Sequence, residues 1–372
     1  MSLERLRFPD LPARGRRYPE PPHPYRTEYQ RDRDRVVHAR AFRRLEDKTQ
    51  VFGARLYDHF RNRLTHTIEV SQIARTVAAA LHLNQDYTEA LALAHDIGHP
   101  PFAHAGEQEL NRQMQAFGER FDHNLHALHI VESFELRYAR FPGLNLTFEV
   151  REGMVKHSRD FAPGEDPALD EYLPGMKPAL EAQIIDLADE CAYNTADLDD
   201  GFSAGLFSLE EIAAHVPYYG DMLASARNAF PDASEEIWFQ EVLRRLIDLL
   251  VSGLIEGTAE AARGFGSIDE VRTHPRRLAR MKEESEKANR ALKQFLHQHV
   301  YSSPGLVEER RIASASVSRL FHYFLDRPEA MPESQRSRLS KSPLHRIVCD
   351  YIAGMTDGYL RRTEAQLFGS SA

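Results

Sequence analysis

Apolar positions recur at helical spacing along most of this chain. Over Thr65–Leu83, Ile68, Ile73, Val77 and Leu81 fall near one stripe, which predicts an amphipathic helix. Asp86 reads as the N-cap of a second helix, Tyr87–Ile97. Asn124–Ala139, Pro178–Leu198, Glu235–Ile255, His274–Val300, Val307–Leu325 and Leu344–Phe368 carry the same pattern. No stretch alternates well with strand period, and β-branched clusters are few. The pattern predicts an all-α protein. Phe161–Pro178, with four prolines and two glycines, reads as a loop. Residues 1–25 are rich in Pro and Arg and read as an extended basic arm. The helices on either side of the loop can share one core. Residues 26–372 are therefore read as a single helical domain with a C-terminal helical extension.

Composition narrows the class. The 372 residues, 42% apolar and 28% charged, suffice for one large globular domain or two ordinary ones. No apolar run approaches the roughly 20 residues of a membrane span. The opening MSLERLRFPDLPARGRR is charged and broken by proline, so no secretory leader is expected. Cys191 and Cys349 are the only cysteines, which points to a reducing, cytoplasmic setting without a disulfide framework. The net charge of −9 is uneven. Residues 1–63 hold 16 Lys and Arg against 9 Asp and Glu, a balance of +7 that leaves −16 for the remainder. A basic segment on an acidic chain suits a polyphosphate or nucleic acid. Surface ion pairs meet the same pattern equally well, and RDRDR at Arg31–Arg35 favours them.

The chemistry concentrates in AHDIGHPPFAHAGE, Ala94–Glu107. Adjacent residues on a helix point about 100° apart, so His95 and Asp96 can grip one ion only where the helix ends. Gly98 and Pro100-Pro101 provide that ending. His66 starts one predicted helix and Asp189 lies on another. Two imidazoles and two carboxylates make a mixed N/O site suited to Mn²⁺, Mg²⁺, Fe²⁺ or Ni²⁺. His104 and Glu107, three apart, share a helix face, and a carboxylate can orient an imidazole for proton transfer. Asp189, Tyr193 and Asp197 recur every four residues along one face. A ring could stack on Tyr193 and a hydroxyl could meet Asp197.

The order H…HD…D, here His66, His95-Asp96 and Asp189, is that of the HD-domain metal-dependent phosphohydrolases. Six blocks extend the likeness. They are Arg26–Phe52, Asn62–Val70, Ala94–Glu107, Phe121–Glu132, Asp186–Gly201 and Arg346–Asp357. Together they resemble the deoxynucleoside triphosphate triphosphohydrolase (dGTPase-like) family, in the family's order. Phe202 to Lys341 matches only in helical character.

The resemblance implies a helical HD fold and hydrolysis of a dNTP to deoxynucleoside and inorganic triphosphate, for control of dNTP pools. It makes His66, His95, Asp96 and Asp189 the metal ligands. His104 and Glu107 take the place of the catalytic pair, and His123 would face the phosphates and is the alternative to His104 as proton donor. His99 would face the phosphates. Gln50 and Arg63 would contact deoxyribose and phosphate, and Tyr193 and Asp197 would wall the sugar. Lys156 and Arg346 are weaker phosphate candidates. In this chemistry the metal lowers the pKa of a water that attacks the α-phosphorus. The resemblance also suggests a homo-oligomer with dNTP activators at subunit contacts. Two other readings fit parts of the chain. One is another HD phosphohydrolase, acting on a cyclic nucleotide, (p)ppGpp or a nucleoside monophosphate. The other is a single-stranded nucleic-acid-binding protein with a vestigial site.

Overall fold

The computed structural model describes residues 2–51 and 60–369. Phe52, the end of the first family-like block, lies outside them. The described residues form helices and no strand; pairing is limited to isolated bridges such as Thr49 with Asn62.

Helix α1 spans Glu28–Val37 and opens with a reciprocal cap between Thr27 and Gln30. Helix α2 spans Arg63–Leu81 behind a similar Asn62–Thr65 cap. Val70, Ile73, Ala74, Val77 and Leu81 are buried on α2. Ile68, expected with them, is 54% exposed. Five residues separate it from Ile73, so it sits about 140° round the helix. Helix α3 spans Gln85–Ala94. Its cap is Asn84, whose side chain accepts from the Tyr87 N–H at 3.1 Å, and not Asp86. Asp86 instead accepts from Thr27 Oγ1 and Gln30 Nε2 on α1.

Helix α4 (Ala103–Gln115) and α5 (His123–His129) follow. A π turn, Ile130–Phe134, ends α5 before the expected Ala139. Helix α6 is Phe148–Val155, and α7 is the long Leu180–Ser203. Beyond them lie α8 (Glu235–Ala261), α9 (Glu283–Leu296) and α10 (Pro304–Asp326). The stretch expected as one helix over Leu344–Phe368 is two, α11 (Leu344–Ala353) and α12 (Asp357–Phe368). Gly354 closes the first, and the Thr356 side chain caps the second.

Helices α2, α3 and α7 pack on one another, and α1 covers α3. The start of the basic arm joins this core through Leu3, Leu6 and Phe8. Farther along, Arg16 reaches buried Asp32 at 2.5 Å, and Asp32 accepts from Thr147 N and Oγ1. A second apolar cluster joins Leu110 and Met114 of α4 to Val317, Leu320 and Phe321 of α10 and Ile347, Val348 and Ile352 of α11. Helix α4 therefore packs into the second cluster, directly after the segment that carries His95 and His99.

The crossing at Gly98 sets how the His95–Glu107 segment meets α5. A Cβ there would stand 2.0 Å from the His123 carbonyl oxygen and 2.4 Å from the Ala127 nitrogen. Both are backbone atoms and cannot swing aside. Gly98→Ala should lower the unfolding free energy by about 3 kcal/mol, the upper end for overpacking. Urea denaturation checks this; an unchanged midpoint would mean the two backbones do not touch.

Candidate metal centre

Three helices deliver the expected ligands to one buried place. His66 occupies the first turn of α2, Asp189 the middle of α7, and His95-Asp96 the end of α3. His66 Nε2 stands 2.8 Å from Asp189 Oδ1. His95 Nε2 stands 3.8 Å from Asp189 Oδ1 and 3.6 Å from Asp96 Oδ1. His95 Nδ1 lies 2.6 Å from the Ala92 carbonyl, which holds the proton on that nitrogen. Nε2 is then a buried acceptor with no hydrogen-bond partner among the described residues. A buried, unpaired acceptor is costly unless something electropositive meets it. The donor set and this orphaned nitrogen fit a divalent cation.

The charges agree. Burial works against ionised Asp96, yet Arg63, His99 and His95 hold its carboxyl well below the usual range. Asp189 is likewise held low, against burial, by His157, His66 and His95. Burial opposes a charge on His95, and Asp96 and Asp189 outweigh it and raise its pKa. The pocket's two carboxylates thus stay ionised and draw positive charge inward.

A row of imidazoles leads outward from these ligands. His99 Nε2 lies 2.9 Å from Asp96 Oδ1. Burial, with Arg63 and His123 nearby, keeps the His99 imidazole neutral. Its ring stacks on His123, centroids 3.9 Å apart. His123 Nδ1 meets Glu107 Oε1 at 2.6 Å, and His104 Nδ1 lies 3.5 Å from Glu107 Oε2. Burial would raise the Glu107 pKa, but His104 and His123 outweigh it and hold the carboxylate ionised. Glu107 is therefore shared, with its tighter contact to His123. The His104 side chain is 69% exposed.

The turn that makes this possible is strained. Phe102 and Ala103 both take left-handed backbone, at φ 61° and 52°, just before His104. Asp357, from the start of α12, holds them. Its Oδ1 accepts from Phe102 N at 3.0 Å, and its Oδ2 accepts from Thr49 N and Oγ1. Buried Lys48 adds a second tie, donating to the His99 and Ala353 carbonyls. Burial, with Arg44 nearby, pushes the Lys48 ammonium down to about 7. Lys48, Thr49 and Asp357 sit in the family-like blocks, yet no sequence pattern gave them a role.

The substrate-side candidates fall in three places. On α7, Tyr193 stacks on Tyr301 with centroids 5.8 Å apart, and the Tyr301 hydroxyl donates to Asp197. Burial pushes the Asp197 carboxyl up to about 8, against the Tyr301 hydrogen bond. Gln50 follows Thr49, with Oε1 buried and unpartnered among the described residues. Arg63 is buried and braces Asp96 at 2.7 Å, which leaves its Nε without a partner among them.

Two phosphate candidates are engaged elsewhere. All three N–H donors of Lys156 are used, by Glu152 Oε1 and the Leu173 and Met176 carbonyls. Its side chain is wholly buried, so the expectation that it meets phosphate is corrected. Its neighbour His157, passed over in the sequence, also faces Asp189, with Nε2 3.7 Å from Oδ2. Arg346 pairs with Glu119 and donates to the Arg120 carbonyl. The arginines of the arm and of α1 are similarly occupied: Arg16, Arg31 and Arg35 pair with Glu20, Glu28 and Asp32.

Comparison with known proteins bears on the same segments. The HD domain model matches residues 63–194, which hold all four expected ligands and the His104–Glu107 pair. The phosphohydrolase-associated domain model matches 279–366, which holds Tyr301 and Asp357. A deoxyguanosinetriphosphate triphosphohydrolase-like protein of Ralstonia nicotianae is 44% identical over 96% of this chain and 92% of its own length. Proteins of the same description from Geobacter sulfurreducens and Brucella ovis are 41% and 42% identical, covering 96% and 98% of this chain. No helix among the described residues is long and apolar enough to cross a membrane. With near full-length identity above two in five and both family models in register with the site, the chain belongs to the deoxyguanosinetriphosphate triphosphohydrolase-like family of HD-domain, metal-dependent phosphohydrolases.

Proposed function

We propose that the protein hydrolyses deoxynucleoside triphosphates to deoxynucleoside and inorganic triphosphate. The supporting observation is the unbroken row from Asp189 through His66, His95, Asp96, His99 and His123 to Glu107 and exposed His104. It sets a buried cation-seeking cluster beside an accessible proton-transfer pair. The relatives' description, deoxyguanosinetriphosphate triphosphohydrolase-like, is in keeping with this reading.

His66, His95, Asp96 and Asp189 would hold the ion. A divalent ion bound there would polarise a phosphate oxygen and acidify a water. Arg63 keeps Asp96 ionised and oriented. Cleavage at the α-phosphorus forms a bond from water oxygen to phosphorus and breaks the bond to the 5′ oxygen, roughly in line. The departing 5′ oxygen needs a proton. His104 is the donor that can reach it, since it projects furthest from the buried cluster, and Glu107 returns its charge. His123, locked by Glu107, is the internal partner. On the sugar side, Asp197 is neutral at pH 7 and buried, which suits an uncharged deoxyribose better than a phosphate.

Phosphorus NMR of the products with Mn²⁺, for each dNTP alone and for all four mixed, tests this reading. Inorganic triphosphate is expected; pyrophosphate or orthophosphate would favour another HD hydrolase. His95→Ala and Asp189→Ala should each abolish metal binding and turnover. Glu107→Gln should slow turnover by about 10²-fold or more with metal content intact. Metal analysis beside kinetics separates the two roles, and lost metal in Glu107→Gln would reassign that residue. Asp197 ionises as pH rises through about 8, so KM for a dNTP should climb above that pH. In Asp197→Asn the KM should stay flat; a parallel climb would place the titrating group elsewhere.

A further inference from the structure

His157 lies in no recognised ligand pattern, yet its surroundings are built around it. It follows α6 in a turn whose backbone is fixed at several points. Asn124 Nδ2 donates to the His157 carbonyl at 3.0 Å, and Ser158 N donates to Asp186 Oδ1 at 2.8 Å. Arg277 pairs with Asp186 and donates to the Lys156 carbonyl. The ring is buried, with Nδ1 2.7 Å from Asp186 Oδ1. Nε2 is left to face the cluster. It stands 3.7 Å from Asp189 Oδ2, and the ring lies 5.2 Å from that of His95.

These separations are informative. A contact of 3.7 Å is too long for a hydrogen bond. Two atoms each about 2.1 Å from one octahedral ion stand about 3.0 Å apart when adjacent and about 4.2 Å when opposite. His157 Nε2 to Asp189, His95 Nε2 to Asp189 and His95 Nε2 to Asp96, at 3.7, 3.8 and 3.6 Å, lie between those two values, so shifts of about half an ångström bring each pair onto one ion. Ligand atoms of His95, His157 and Asp189 also lie within 4.8 Å of one another, as do those of His66, His95 and Asp96. The two triads share His95, and Asp189 turns Oδ1 to His66 and Oδ2 to His157. Asp186 sits against His157 Nδ1 as a charged neighbour, out of hydrogen-bond alignment, and Nε2 is the nitrogen turned towards Asp189.

We propose that His157 is a fifth protein ligand of the same ion, oriented by Asp186 and Arg277. The proposal rests on the metal reading above and adds an imidazole to it. The test is electron–nuclear double resonance on full-length protein loaded with Mn²⁺ and labelled with ¹⁵N-histidine, together with Mn²⁺ titration of the wild type and His157→Gln. Three coordinated imidazoles and one Mn²⁺ per chain are expected. His157→Gln should retain one site with Kd raised at least about tenfold. Two imidazoles in the wild type, or an unchanged Kd in His157→Gln, would overturn the proposal. Two Mn²⁺ per wild-type chain, with one lost in the variant, would overturn it in favour of a separate ion. No Mn²⁺ on the wild type would defeat the metal reading itself. If His157→Gln fails to fold, the wild-type imidazole count decides alone.

Discussion

The structure turns on two ionised carboxylates, buried Asp96 and half-buried Asp189, where three helices meet. Carboxylates removed from water are tolerated only when positive charge or hydrogen bonds replace the lost hydration. Arg63 and His99 meet Asp96, and His66, His95 and His157 surround Asp189. The imidazoles that answer the charge are also ligands in waiting. His95 shows this most plainly, because the Ala92 carbonyl fixes its tautomer and aims the other nitrogen inward. The same physics that makes the cluster expensive to assemble makes it receptive to a cation.

The rest of the molecule keeps that cluster beside its proton-transfer groups. Gly98 lets the His95–Glu107 segment touch the α5 backbone, so His99 can stack on His123. The left-handed pair Phe102-Ala103 then turns α4 so that Glu107 meets His123. Such backbone persists only when neighbours over-determine it. Here the neighbours are remote in sequence: Asp357 opens the last helix, and Lys48 ties the turn to Ala353. The C-terminal helices therefore do more than extend the fold. They complete the apolar cluster under α4 and supply the carboxylate that holds its first turn.

Much of this was legible in the chain. Helical period revealed most helices because each buries a stripe against a common core. Their ends were less legible. Asn84 and Asp86 are both able caps, and the contact of Asp86 with α1 decides between them. Helix α6 and the break at Gly354 were not anticipated, since short elements carry too few periods to register. The pattern H…HD…D was readable because it joins rare residue types at defined spacing. His157 was not, because its meaning depends on a turn folding back on α7. Lys156 misled for the same reason. A lysine beside a phosphohydrolase motif suggests phosphate, and only the packed structure shows Glu152 and two carbonyls consuming it. The N-terminal arginines divided between two readings on charge alone, and internal ion pairs account for Arg16, Arg31 and Arg35.

The central claim is that water is delivered to the α-phosphorus of a dNTP, with the 5′ oxygen leaving. Hydrolysis of dGTP in ¹⁸O-water with Mn²⁺ tests it directly, with both products weighed by mass spectrometry. The account predicts one ¹⁸O in the inorganic triphosphate and none in the deoxyguanosine. Label in the deoxyguanosine would put the attack at carbon and contradict the account. So would label in a shorter phosphate product, which would place the attack at another phosphorus.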